Sequence, residues 1–246
     1  MSSPSLHTPD DLLRLHALAR YGVLDTLPEE AFDRVTRLAA RVLGARVAAV
    51  NLVTEDRLFS KACHGRAALS GPSAGSMCAH AVTLGDVLVV TDLGADARFR
   101  EHPLTRGEGG ARFYAGAPLV TPDGYAVGTL CVMHDAPLDF GDHEANVLRE
   151  LAALTVDELE LRRVRLDLER ESQASTRMLD ELRRSNRAFE TLLAIISLGD
   201  LDLDPNDAAR RVLELAARST RLDWAGVAVI RDAGVTTEAV LAHGAV

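Results

Sequence analysis

Apolar positions recur with two periods along the chain, and the change of period divides it into elements. Thr8-Pro9-Asp10-Asp11 offers a capping hydroxyl, a first-turn proline and acids at the positive end of a helix dipole. The spacing of Leu12, Leu15 and Ala19 predicts a helix to about Arg20. A second predicted helix starts at Pro28, carries Phe32, Val35, Leu38, Ala39 and Val42 toward a core, and stops at Gly44. Residues 45–54 then read as a strand, Glu55-Asp56-Arg57 as a turn, and the segment to Gly65 as the partner strand. Residues 66–75 read as a loop, Ser76 to Val82 as a short helix and Asp86 to Thr91 as another strand. A polar connection from Asp92 to Gly110 follows, with a helical turn expected near Ala97; loops of this length are commonly functional.

The period-two signal is strongest from Arg112 to Met133. Phe113, Ala115, Ala117 and Leu119 share one face, and Val127, Thr129, Cys131 and Met133 are expected to share one on the next strand. Thr121-Pro122-Asp123-Gly124 supplies the turn between them. Pro118 has no N–H for a ladder and marks an edge or a bulge. The predicted architecture is α+β: an antiparallel sheet of five to six strands flanked by helices.

At Asp142 the period changes again. Leu154, Leu161, Leu168, Ser175, Leu182, Phe189 and Ile196 recur by sevens, preceded three residues earlier by Leu151, Glu158, Arg165, Ser172, Leu179, Asn186 and Leu193. This predicts a long helix over 142–197 that pairs with a second copy as a parallel coiled coil, weak in its middle. The alternative is one long amphipathic helix lying on its own domain. Beyond it, segment 28–50 recurs at 205–227: Pro205, Ala208, Arg211, Val212, Leu215-Ala216-Ala217-Arg218, Ala225 and Val227 repeat their counterparts. A strand from Trp224 to Ile230 and a partner from Val235 to His243 are expected. The expected organisation is a disordered start at 1–9, a domain at 10–141, the helix at 142–197 and an incomplete second unit at 198–246.

Composition adds bounds. The chain has 246 residues, 47% of them hydrophobic, enough for one large or two ordinary domains. No apolar run reaches the roughly 20 residues of a membrane helix, and no secretory signal is visible. Three cysteines without CxxC spacing fit a reducing compartment, so a cytoplasmic protein is expected. A net charge of −9 argues against nucleic acid as a partner. Lys61 is the only lysine among the basic residues.

Several segments, taken together, carry a family resemblance. They are Tyr21-Gly22-Val23-Leu24-Asp25-Thr26 with Pro28-Glu29 and Phe32-Asp33; Ser76-Met77-Cys78-Ala79-His80-Ala81; Asp92-Leu93 with Asp96-Ala97-Arg98-Phe99; and Arg112-Phe113-Tyr114-Ala115-Gly116-Ala117-Pro118-Leu119 with Gly128-Thr129-Leu130-Cys131-Val132. In this order they resemble bacterial GAF domains, over residues 14–160. The resemblance implies a GAF/PAS-like sheet and a sensory input module of a signalling protein, and makes 198–246 the start of a second such domain. Its output, a histidine kinase, cyclase or phosphatase, is expected outside this chain. No kinase nucleotide motif, cyclase motif, phosphate-binding glycine loop or phosphoacceptor histidine box is visible, so no enzyme activity is expected of the chain itself.

The resemblance places candidate ligand contacts at Phe59, Cys78, His80, Asp92, Arg98, Arg112 and Tyr114. An arginine at a pocket mouth pairs with an anion bidentately; the competing reading is an internal Asp–Arg bridge that pins the long loop. The cofactor is unassigned. Bilin-binding relatives attach their chromophore at a cysteine commonly followed directly by histidine, whereas Ala79 separates Cys78 from His80. The motifs of cyclic-GMP-binding and of methionine-sulfoxide-reducing members are not evident, and Cys63, Cys131 and the histidines lack metal-ligand spacing. Two alternatives to a ligand sensor remain: a thiol-redox or chromophore protein acting through Cys78, and a purely structural dimerisation module.

Overall fold

The computed structural model describes residues 9–68, 71–106, 110–199, 207, 224–231 and 234–242, in two units, Met1–Asp167 and Leu168–Val246. The first contains α1 (Pro9–Arg20), α2 (Glu30–Val42), β1 (Val47–Val53), β2 (Arg57–His64), β3 (Gly71–Pro72), α3 (Met77–Leu84), β4 (Leu88–Val90), β5 (Phe113–Val120), β6 (Ala126–His134) and the first part of α4 (Asp142–Gly199). A 3-10 turn at Pro103–Thr105 lies in the long connection. The six strands form one antiparallel sheet in the order β3-β2-β1-β6-β5-β4. This is an α+β fold.

Alternation along the central strands splits the apolar side chains between two cores. Ala48, Val50 and Leu52 of β1 join α1, α2 and the root of α4 on one face; Ala49 and Val53 join α3 and the long connection on the other. Pro118 lies past the end of the short β4, whose pairing with β5 stops at Leu88–Gly116, so its missing N–H removes no bond from that neighbour.

Two bulges change which side chains share a face. Between Val50 and Asn51 the β1–β2 register slips, from Val50–Ala62 to Asn51–Ser60, and Lys61 is the extra residue. Between β5 and β6, Leu119 pairs with Gly128 and Val120 with Ala126, leaving Val127 extra. Val127 therefore packs with the α1–α2–α4 core and not with Cys131 and Met133, where unbroken alternation would put it.

The α1 face also differs from the one its leucines suggest. Leu12 is 70% exposed, while Asp11, Arg14, Ala17 and Leu18 are buried. The cause is polar: Arg14 donates through Nη1 to the Val53 carbonyl at 2.6 Å and through Nε to Asp11 at 2.7 Å, capping the end of β1. On α2, Thr36 and Ala40 take core positions and Leu38 and Val42 are exposed.

Lys61 organises the base of α4. Its side chain is fully buried, and Nζ donates to Thr26 Oγ1, the Leu27 carbonyl and Glu29 Oε1, each at 2.7 Å. All three ammonium protons thus have acceptors. Glu29 also accepts from Arg162 Nε at 2.8 Å and Arg165 Nη2 at 3.3 Å; Arg162 Nη1 donates to the Tyr21 carbonyl, and the Tyr21 hydroxyl donates to Glu160. Burial alone would raise the Glu29 carboxyl, but the hydrogen bonds and charges of Lys61 and Arg162 outweigh it and hold the group below the usual carboxylate range.

The second unit's described strands, β7 (Trp224–Arg231) and β8 (Gly234–Ala242), form an antiparallel hairpin. The repeated helix expected over 205–218 lies outside the described residues except for Asp207, as do residues 1–8 of the expected disordered start. Among the described residues, no helix is long and apolar enough to cross a membrane.

Candidate functional site

The face of the sheet under α3 encloses a cavity of about 280 Å³. The sheet contributes Asn51 from β1, Leu58 from β2, Tyr114 from β5, and Cys131 and Met133 from β6. Pro72 comes from β3, Met77 and Cys78 from α3, Ala74 from the loop between them, and His102 and Leu104 from the long connection. The walls are apolar, and the volume suits a small molecule.

Cys78 reaches this floor because α3 starts abruptly. Ser76 caps the helix, its hydroxyl accepting from the Ala79 amide at 3.1 Å, and Gly85 ends it at φ +72°. Cys78 thereby sits in the first turn, buried, facing β1 and β6. The Asn51 amide nitrogen donates to both sulfurs, at 3.5 Å to Cys78 and 3.4 Å to Cys131. The Tyr114 hydroxyl donates to Cys78 at 3.6 Å. Tyr114 lies over Gly116, where any Cβ would collide with the tyrosine ring and hydroxyl, so the glycine is what admits this pose. Asn51 Oδ1 is buried with no hydrogen-bond partner.

The electrostatics follow from donors crowding one sulfur. The neighbouring Cys131 thiol first, then Tyr114 and Asn51, pull the Cys78 thiol below its ordinary range against the opposing effect of burial. Cys131 goes the other way, pushed up by its hydrogen bond to Cys78 and by burial, and burial raises the Tyr114 hydroxyl. His102 is lowered by burial; its Nδ1 accepts from the Leu104 amide at 3.2 Å, which fixes a neutral ring with its proton on Nε2.

Of the seven residues proposed from sequence, Cys78 and Tyr114 line the cavity. His80, two residues past Cys78 along α3, is turned away from the cavity: Nδ1 donates to the Ser76 carbonyl at 2.9 Å and the ring meets Phe99 edge-on at 4.9 Å. Asp92 and Arg112 form a two-pronged ion pair at 3.0 and 2.8 Å, and Arg98 forks onto Asp96 while covering Phe99. Each arginine is paired with a carboxylate of the long connection, and neither lines this cavity. Phe59 packs into the opposite core, because the bulge at Lys61 reverses its face. Asn51, Met77, His102, Cys131 and Met133 were not proposed as contacts. Asn51 alone had a signal, as the single polar residue in the apolar run Val47–Val53. Among the described residues no three His, Cys, Asp or Glu side chains converge as a metal site would require.

The family model for the GAF domain matches residues 27–158, more than half of the chain. The chain belongs to the GAF domain family. A curated relative, the cyclic di-GMP phosphodiesterase PA2567 of Pseudomonas aeruginosa, is 31% identical over 137 residues, 56% of this chain and 23% of the relative. This GAF chain thus spans less than a quarter of that protein. Among solved structures, the GAF domain of the Acinetobacter phosphoenolpyruvate-protein phosphotransferase matches at 16% identity and TM-score 0.48, covering 64% of this chain and 96% of that one. A domain of a two-component sensor histidine kinase from Sinorhizobium meliloti matches at 20% identity and TM-score 0.45, covering 58% and 97%.

Proposed function

We propose that this chain is the sensory input of a cytoplasmic signalling protein, and that it works as a dimer. The GAF domain takes up a small, mostly apolar molecule in the cavity under α3, with a donor group on it satisfying Asn51 Oδ1. The signal leaves through α4, and an output activity is carried by another domain or protein. The homology to a cyclic di-GMP phosphodiesterase supports the signalling role.

The observation that carries the reading is that α4 is apolar on two opposite sides. Leu148, Ala152, Val156 and Leu159 are buried in the domain core. Leu154, Leu161 and Leu168, spaced by sevens, are 51, 63 and 60% exposed, and Leu182 and Phe189 continue the series at 51 and 62%. An exposed leucine stripe in a heptad register has a self-complementary partner in a second copy of the same helix. Leu151, which the heptad would assign to such a seam, is instead 7% exposed in its own domain core. The near part of α4 therefore serves the domain with one face and would serve the dimer with the other, so a change in one packing bears on the other.

Sedimentation tests this. The chain is expected to run as a dimer at tens of micromolar, and Leu161→Asp/Leu168→Asp as a monomer with unchanged thermal unfolding of the domain, since both positions are exposed. A monomeric wild-type chain at that concentration would remove the mechanism.

A further inference from the structure

We propose that Cys78 and Cys131 form a reactive dithiol, in which a hydroperoxide entering the cavity is attacked by Cys78 and the product is resolved by Cys131 as an intrachain disulfide. The proposal names the chemical input of the sensor described above and rests on that reading for its consequence; the thiol chemistry itself stands or falls separately.

Three features of the site point this way. The first is access: both sulfurs line a cavity whose other walls include Met77, Met133 and Leu104, a surface that favours an organic hydroperoxide over a charged oxidant. The second is activation. A nucleophilic sulfur must be a thiolate, and the Asn51 side-chain amide and the Tyr114 hydroxyl both donate to the Cys78 sulfur, where they would hold its negative charge. The third is pairing. One Asn51 amide bridges both sulfurs, so the thiol that attacks and the thiol that resolves are held over the same group. The opposite displacement of the two thiols, Cys78 down and Cys131 up, matches those separate roles.

The step balances as follows. The Cys78 thiolate uses its electron pair to form an S–O bond to the terminal peroxide oxygen while the O–O bond breaks. The departing alkoxide takes the proton that Cys78 released and leaves as an alcohol. Cys131 sulfur then attacks the Cys78 sulfenic acid; the S–S bond forms, the S–O bond breaks, and hydroxide leaves with the Cys131 proton as water. In sum, two thiols and one hydroperoxide give one disulfide, one alcohol and one water. The new bond draws α3, an eight-residue helix, against β6.

Cys63 supplies the internal control. It is half-buried and more open than Cys78, but its thiol is pushed up by burial and neither Asn51 nor Tyr114 donates to it. Accessibility alone therefore predicts oxidation at Cys63, and the dithiol predicts it at Cys78 and Cys131. The reduced full chain is treated with one equivalent of cumene hydroperoxide at neutral pH and mapped by non-reducing peptide mass spectrometry. The expected result is a Cys78–Cys131 link within one chain, with Cys63 still free. Cys131→Ser should stop at a sulfenic acid on Cys78 that dimedone traps, and Cys78→Ser should form no link. Oxidation first at Cys63, a link between two chains, or three surviving thiols in the wild type would each overturn the proposal, and the wild-type map decides even where a variant does not fold. Sedimentation of the same samples separates the two readings. A disulfide in a monomeric chain sinks the sensor mechanism alone, and a dimer that forms no disulfide sinks the dithiol alone.

Discussion

Glu29→Ala is expected to lower the stability of the GAF domain by about 3–5 kcal/mol, because it leaves the fully buried Lys61 ammonium without its carboxylate. Arg162, only 9% exposed, loses the same partner. Urea denaturation followed by far-ultraviolet circular dichroism measures the loss, and adding Lys61→Met should return a large part of it, since the stranded charge is then gone. A loss below about 1 kcal/mol would class the contact with ordinary surface pairs and sink this account. The pH dependence has a definite sign. The folded-state Glu29 carboxyl lies below its unfolded value, so its contribution is complete above the ordinary carboxylate range and is lost as pH falls through the depressed folded value. The gap between wild type and Glu29→Ala should therefore close on acidification.

Leu159→Ala is expected to cost about 2–5 kcal/mol, the range for deleting a fully buried leucine side chain without collapse of the cavity it leaves. Leu159 is 0% exposed and sits on α4 between Glu158 and Glu160, one turn before Arg162. It therefore tests the face of α4 that serves the domain, as Leu161→Asp tests the face proposed to serve the dimer. Loss of stability with retained dimerisation is the expected outcome in sedimentation and thermal unfolding. A loss under about 1 kcal/mol would mean that α4 is not anchored through this side chain.

How far the sequence reached can be followed along single strands. The β5–β6 hairpin was legible because Phe113, Ala115, Ala117 and Leu119 alternate without interruption and Asp123-Gly124 marks the turn. Alternation failed at the two bulges. Counting by twos from Cys63 puts Phe59 on the cavity side, but the extra residue at Lys61 returns it to the other core; Val127 fails for the same reason. A bulge costs one residue of register and leaves no mark in hydrophobicity. The face of α1 was misread because its buried positions include an ion pair, Asp11–Arg14, where an apolar pattern has nothing to count. The site was legible only in part for a related reason. Cys78 and Tyr114 stand in recognisable segments, whereas Asn51, Met133 and His102 become neighbours only once the sheet and the long connection are folded together. Of the charged residues proposed as contacts, Asp92 and Arg112 pair with each other and Arg98 pairs with Asp96, neighbours that a linear reading does not reveal.

Lys61 has one more consequence. It is the chain's only lysine, and its amine is sealed beneath Thr26, Leu27 and Glu29. Amine-selective acylating reagents and cross-linkers therefore meet no accessible lysine amine on the folded GAF domain. Each acyl group that does appear at residue 61 records one opening of the segment that covers it, which turns a routine labelling reagent into a single-site clock for local unfolding at the root of α4.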